Sequence, residues 1–394
     1  MRPHIFVFIL GTLYYLIVPP LVGLSASFAN MPGMNEWLVD FDYSKDNLFV
    51  YFIIVISYLL SFVFGSYAAK KIKIKTSLNE KNKNKNNGEF LISFFGFVFL
   101  SIISYLAVKN ISTLFGGYQT YDAGLLGAFA TISSVSLFFS IYSSTRTAKI
   151  VFITNILVCS IFMIGLGSRM YAVIPIAAVF VYKIYYSKNK LSKKKVLFGS
   201  FFLITFFLVV GAWRVGRESS FEFLAYIFFA EPTFTWWSAS SFMGNNQFNA
   251  VAYPLNFLQS FFNFLPSFLF ENKGELILDM RNVYNYESPL GADSIFVSII
   301  VNFGVIGGVF FMAMVGFYYS LMERLSWGSR FFLAYYISIV AVLPFQFFRD
   351  NFSIINKQVF WNMLIIPAAI IFISLIIFNI LPKKLMSQTY GVST

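Results

Sequence analysis

Apolar residues in this chain run in long unbroken blocks, without the two-residue alternation of a half-buried strand or the narrow stripe of a surface helix. A hydrocarbon core about 30 Å thick is crossed by roughly 20 residues of helix, since each residue rises about 1.5 Å. On that criterion the pattern predicts membrane helices over 5–24, 48–69, 90–108, 123–145, 150–167, 171–187, 196–213, 294–322, 330–347 and 359–381. The predicted fold is therefore an all-α polytopic membrane protein of about ten transmembrane helices. The runs are too long and too continuous for the strands of a membrane β-barrel. The first block exceeds the apolar core of a secretory signal and is expected to stay as a retained helix.

Polar interruptions set the organisation. Hydropathy divides the chain into an N-terminal bundle of about seven helices (1–213), a large external region (214–293) and about three C-terminal helices (294–394). Inside the external region, Phe221–Met243 is broken by Glu222, Glu231 and Pro232. The stretch Val251–Phe270 is broken by Pro254, Asn256, Gln259, Asn263 and Pro266. Such stretches favour interfacial or re-entrant helices over full spans, and Trp236 and Trp237 suit an interface. If both crossed, the count would be twelve and every other loop would keep its side. From Ser294 to Met322 run 29 uncharged residues, expected either as one tilted helix or as two joined near Asn302-Phe303-Gly304. The pairs Gly307-Gly308 and Gly116-Gly117 read as close packing or a turn.

Charge adds orientation. Only 12% of the residues are charged and 58% are hydrophobic, which excludes an ordinary soluble domain. With the N-terminus inside, the cytoplasmic segments and their margins hold 20 of the 29 Lys and Arg residues and three acids. The opposite side holds nine basic residues and fourteen acids. Both termini are thus expected in the cytoplasm. The net charge of +12 is explained by this asymmetry, so nucleic acid is not an expected partner. The Lys/Asn-rich segment 70–89 reads as a flexible cytoplasmic loop.

Little standard chemistry is available. One cysteine, Cys159, lies in an apolar run, and the one histidine is His4. Neither a cysteine metal site nor histidine catalysis on the external face can be built from them. No phosphate-binding glycine loop, dinucleotide fingerprint or zinc motif is present, and no metal or cofactor is expected.

The external arginines are the informative polar residues. Arg169 sits in the hairpin Gly165-Leu166-Gly167-Ser168-Arg169, Arg214 and Arg217 follow a helix end, Arg281 precedes the next helix, and Arg349 stands at another helix exit. Each alone reads as a snorkelling anchor or as the partner of an acid such as Glu218, Asp350 or Asp293. As a set on the side where basic residues are scarce, they point to an anionic, phosphate-bearing ligand, which guanidinium groups hold in bidentate fashion. Among Glu218, Glu222, Glu231, Glu287 and Asp293, most acids read as solvating an external loop. Glu231, flanked by Ala230 and Pro232 in an apolar stretch, is the candidate general base.

The stretch Gly167-Ser168-Arg169, and Ser288-Pro289-Leu290-Gly291-Ala292-Asp293-Ser294 running into Val301-Asn302-Phe303-Gly304-Val305-Ile306-Gly307-Gly308, resemble the O-antigen repeat-unit polymerases, the Wzy-type family. The plan of ten or more helices with a large late external region is similar too. Some members carry an arginine, ten residues and a glycine; here nine residues separate Arg281 from Gly291. The resemblance implies a glycosyltransferase of the bacterial inner membrane acting at the periplasmic face. Its substrates would be undecaprenyl-pyrophosphate-linked glycans. A sugar hydroxyl of the incoming unit would attack C1 of the growing chain and expel undecaprenyl pyrophosphate. Arg169, Arg214, Arg217 and Arg281 are then candidates for stabilising the leaving pyrophosphate, with Glu231 as base. Arg349, Asp293 and Glu218 are candidates for substrate binding. A chain-length regulator and the flippase for the same lipid-linked units are implied partners. The competing readings are an O-antigen ligase, for which an external histidine is expected and absent, and a flippase or transporter. Transport calls for charges deep within several helices, whereas the ionisable residues here crowd one face.

Overall fold

The structure, a computed structural model, describes residues 2–25, 45–69, 89–113, 122–187, 190–215, 221–246, 248, 254–265 and 270–380. The loop expected over 70–89 lies almost entirely outside the described residues, as do Gly116-Gly117, Arg217 and Glu218. Among the described residues every element is helical and no strand occurs.

The α-helices are α1 (Pro3–Gly11), α2 (Val18–Ser25), α3 (Lys45–Ala68), α4 (Glu89–Lys109), α5 (Ala123–Tyr142), α6 (Arg146–Gly165), α7 (Arg169–Val181) and α8 (Lys193–Val215). After these come α9 (Phe221–Asn246), α10 (Leu255–Gln259), α11 (Met280–Tyr284), α12 (Ile295–Ser326), α13 (Arg330–Val342), α14 (Gln346–Arg349), α15 (Phe352–Asn356) and α16 (Ile366–Ile380). Wider π-helical turns over Thr12–Ile17 and Lys357–Ile365 continue α1 into α2 and α15 into α16.

Among the described residues, seven stretches are long and apolar enough to cross a membrane: Pro3–Val22, Asn47–Ala68, Glu89–Lys109, Gly124–Tyr142, Arg146–Gly165, Ile295–Ser326 and Phe352–Ile380. The chain is thus polytopic and all-α. The expected helices at 171–187, 196–213 and 330–347 are present as α7, α8 and α13 but are not among those seven, and α13 is a shorter apolar helix. Of the two interrupted external stretches, the first folds as the 26-residue α9 and the second as α10 plus the 3-10 turn Ser260–Phe264; neither is among the seven.

The chain forms two compact units. One comprises residues 75–175, 325–338 and 360–394. Its core gathers Ile103, Leu126, Phe129, Cys159, Met163 and Leu166 from α4, α5 and α6. Glu89, at the first turn of α4, accepts the backbone N–H groups of Ser144 (2.6 Å) and Thr145 (2.9 Å) just before α6 begins. A buried carboxylate thereby meets donors that a helix start leaves free.

The other unit comprises residues 1–74, 176–324 and 339–359. Its centre is the parallel pair α3 and α12. Gly65 lies against the backbone of Ala313, Gly316 against the carbonyl of Phe62, and Gly308 against Tyr58. Where backbones touch this closely, only glycine fits, as in tightly packed membrane helices. Residues 3–17 run antiparallel to both. His4 stands beside Phe62 and Tyr319, Phe8 stacks on Phe62 at 3.8 Å, and the Tyr51 hydroxyl donates to the Leu16 carbonyl at 2.9 Å. At the Glu323 end, Arg2 pairs with Glu323 (3.3 Å) and donates to the Ser66 carbonyl (2.7 Å), while Arg324 donates to the Ala69 carbonyl (2.8 Å). Two arginines thus take carbonyls that the last turn of α3 leaves open.

α12 breaks where the sequence allowed it. Gly304 has φ 69° and ψ 179°, a conformation that suits glycine. Asn302 closes the gap: its Oδ1 accepts the Phe257 N–H (2.8 Å) and its Nδ2 donates to the Ser298 carbonyl (2.9 Å). The α10 segment is thereby fastened to the break, over the rings of Phe257, Phe303, Phe311 and Phe352. α9 packs against Tyr14 of the π-helical turn and Tyr51 of α3, and its Trp236 is buried within the protein at 1% exposure.

Gly316→Ala is expected to force α3 and α12 apart and lower stability by about 1–3 kcal/mol. Gly127→Ala, where an added methyl meets nothing within 4 Å, should be neutral or raise stability by up to about 1 kcal/mol. Thermal unfolding in detergent compares them, and equal melting temperatures for both variants would refute the close contact.

Candidate functional site

The site lies at the start of α12, the end opposite Glu323, and is assembled from three segments that the fold breaks apart. The first break is Pro232 within α9. Proline has no N–H to give the carbonyl four residues earlier, and a membrane interior offers no water to replace it. That carbonyl, of Phe228, accepts the Tyr14 hydroxyl at 2.5 Å. Glu231 thus sits on a turn of α9 anchored from outside. The buried Thr233 hydroxyl bonds back to the Phe229 carbonyl (2.8 Å), which satisfies it within the helix.

The second segment is Gln346-Phe347-Phe348-Arg349-Asp350-Asn351. α14 ends at Asp350, which is extended, and Asn351 caps α15 by accepting the Ser353 N–H at 3.1 Å. Three adjacent side chains then reach in different directions. Arg349 pairs with Glu231 of α9 and approaches Asp350 at 3.4 Å. The Asn351 amide donates to Asp293 Oδ2 at 3.0 Å.

The third segment runs from Asp279 to Ser294. Asp279 caps α11 and grips Arg281 with both oxygens, at 2.9 and 2.6 Å. Asn285, left-handed at φ 46°, ends α11. Asn246 of α9 donates to the Tyr284 carbonyl (2.7 Å) and Ser241 accepts the Glu287 N–H (3.0 Å), so α9 holds this loop in place. Gly291 (φ 71°) then turns the chain into Asp293, which is 4% exposed.

Burial dominates the electrostatics. It raises Asp350, 1% exposed, to about 6 despite the neighbouring Arg349 charge. It also raises Asp293, against the hydrogen bond from Asn351. Tyr286, buried beside Asp293, is pushed upward by burial and by that carboxylate. Asp279 goes the other way, held low by its hydrogen bonds from Arg281. Two buried carboxyls whose proton affinity is raised thus stand beside two arginines.

Of the sequence candidates, Glu231, Arg349, Asp293 and Arg281 fall in this region of one unit. Arg169 begins α7 after the turn at Gly167 (φ 95°), among the residues of the other unit. Arg214 lies in the last turn of α8. Asp350, Asn351, Asp279 and Tyr286 join the site although sequence reasoning gave them no role of their own. The adjacency Arg349-Asp350-Asn351 at a helix exit was the one signal for two of them.

Asp350 faces Arg349, Glu231 and Asp293. A carboxyl raised by folding binds more protons in the folded state between about pH 4 and 6, so its contribution to stability is lost as pH rises through that window. Asp293 acts with the same sign. Melting temperature in detergent is expected to fall from pH 4 to pH 6.5, and Asp350→Asn is expected to shallow the fall. An unchanged slope in that variant would show that Asp350 does not carry the effect.

No curated protein and no solved structure matches the chain. The family model for the O-antigen polysaccharide polymerase Wzy matches residues 4–380, nearly the whole length and all of the site just described. Taken with the polytopic helical fold, that match places this multi-pass membrane protein in the Wzy O-antigen polysaccharide polymerase family.

Proposed function

We propose that the chain joins undecaprenyl-pyrophosphate-linked oligosaccharide repeat units into O-antigen at the periplasmic face of the bacterial inner membrane. In this reading about ten helices cross the bilayer, both termini are cytoplasmic, and the Asp293 end of α12 faces the periplasm. The antiparallel course of residues 3–17 against α3 and α12 is consistent with it. Family membership supports the polymerising activity. The observation that carries the site is the ion pair between Glu231 and Arg349, with Asp350 behind the arginine.

A donor entering this site brings a pyrophosphate, which competes with Glu231 for the guanidinium. Bidentate phosphate binding to Arg349 releases the Glu231 carboxylate. That carboxylate then accepts the proton of the acceptor hydroxyl as the hydroxyl oxygen bonds to C1 of the growing chain. The C1–O bond to phosphate breaks, and undecaprenyl pyrophosphate leaves carrying the electron pair. Arg349 and Arg281 stabilise the charge that develops on the leaving oxygen, with Arg169, Arg214 and Arg217 as further candidates. Glu218 and Asp293 contribute to holding the substrates. A ligase reading loses support because His4, the one histidine, is buried beside Glu323 at the far end of α12.

Deleting the gene in its host is expected to leave lipid A core bearing a single repeat unit, and the intact gene should restore the ladder on a lipopolysaccharide gel. Arg349→Ala and Glu231→Gln, at normal protein level, are expected to reduce polymer formation about 10²-fold or more. Polymer accumulating on its carrier lipid in the deletion strain would instead identify a ligase. A full ladder from both variants would remove the Arg349–Glu231 pair from the mechanism.

A further inference from the structure

The arginines near Asp293 are already neutralised in this structure, Arg281 by Asp279 and Arg349 by Glu231 and Asp350. Two lysines in the same unit are not. Lys273 and Lys357 form no ion pair among the described residues, and both are partly buried.

Their positions follow from how the segment 254–265 is docked. Asn356 of α15 donates to the Ser260 hydroxyl at 2.7 Å, and Asn263 donates to the Ser353 carbonyl at 3.0 Å. The 3-10 turn is thus fastened along α15, whose next residue is Lys357. Leu265 follows the turn, and its carbonyl accepts the Lys273 ammonium at 2.9 Å. One hydrogen bond leaves that ammonium two further donors. The backbone N–H of Lys357 donates to the Ile354 carbonyl, but its ammonium makes no hydrogen bond or ion pair among the described residues, and Lys273 is near enough to act on it electrostatically. Two like charges held near one another in a partly desolvated place raise the energy of the empty site, and an anion between them removes that cost.

The level in the membrane narrows the anion. Lys357 is the sixth residue of the candidate span Phe352–Ile380, about 8 Å along the helix from its start. It also opens the π-helical turn Lys357–Ile365, a deformation that often accompanies a functional site. An ionisable residue within a span is costly without a ligand or partner. We propose that Lys273 and Lys357 form a binding site for a lipid-borne phosphate or pyrophosphate, separate from the Arg349 cluster. That the lipid is the glycan carrier rests on the function proposed above; the anion site itself rests on the lysines.

The test uses the full chain in nanodiscs of zwitterionic lipid, titrated with a polyprenyl monophosphate, with the parent polyprenol and with inorganic pyrophosphate. The wild type is expected to bind the polyprenyl phosphate well above the polyprenol. Lys357→Gln and Lys273→Gln should each weaken it about tenfold, the worth of one charge-assisted hydrogen bond. Lys357→Arg should recover most of that loss, which separates charge from folding. Unchanged affinity in the double Lys→Gln variant overturns the site. Lysine-dependent binding of inorganic pyrophosphate with none of the polyprenyl phosphate overturns its assignment to a lipid. None of these readouts needs polymerisation, so loss of binding in the lysine variants together with a normal ladder from Arg349→Ala would sink the mechanism proposed above and leave this site standing.

Discussion

Inside a bilayer a peptide group that leaves its helix has only the protein to turn to, and that constraint shapes this fold. At three breaks in the helices of the larger unit, a side chain meets the exposed backbone. Pro232 frees the Phe228 carbonyl, and the Tyr14 hydroxyl takes it. Gly304 interrupts α12, and Asn302 bonds the Phe257 N–H and the Ser298 carbonyl on either side. The end of α14 exposes the first N–H groups of α15, and Asn351 caps them. Those repairs also determine which side chains converge. Glu231 precedes the proline, Asp293 precedes α12, and Arg349 precedes the cap. The breaks at Pro232 and before Asn351 therefore coincide with the site, whereas the break at Gly304 fastens the α10 segment.

Charge at this end follows the same economy. An arginine or carboxylate removed from water needs a partner, and each of Arg281, Arg349 and Asp293 has one nearby in sequence or through Asn351. Two lysines escape this neutralisation. The sequence argument weighted arginine over lysine because guanidinium matches phosphate in shape. Once side chains are placed, Arg281 and Arg349 carry carboxylate partners and these two lysines carry none among the described residues, so cation identity alone does not indicate which charges are neutralised within the protein.

Much of the architecture was legible because its cause is one-dimensional. Length and hydropathy locate helices without reference to packing, and of the two courses open to Ser294–Met322, one tilted helix or a break near Asn302-Phe303-Gly304, the structure takes the break. What stayed hidden depends on distant partners. Nothing in the sequence around Trp236 indicated that it would be buried against Tyr51 of α3. Glu231 was singled out by its apolar neighbours, and nothing local indicated that its partner would be Arg349. Asp350 read only as a neutralising neighbour of that arginine; its near-complete burial is set by elements far along the chain.

The two acids at Arg349 differ in kind, and the difference gives the cluster a direction. Arg349 and Glu231 keep 20% and 26% of their side-chain surface, so their pair is partly solvated and is worth only about 0–1 kcal/mol. Asp350 keeps 2%, has no comparable access to water, and loses its partner only at the expense of an uncompensated buried charge. In the reaction proposed above, a phosphate arriving at Arg349 would therefore exchange with Glu231 before it exchanged with Asp350. Asp350 keeps the guanidinium oriented through the exchange, and the carboxylate set free is the one that faces solvent. Arg349 is in this way a cation with one permanent and one replaceable partner, which is what a site must have if binding the donor is to expose the base.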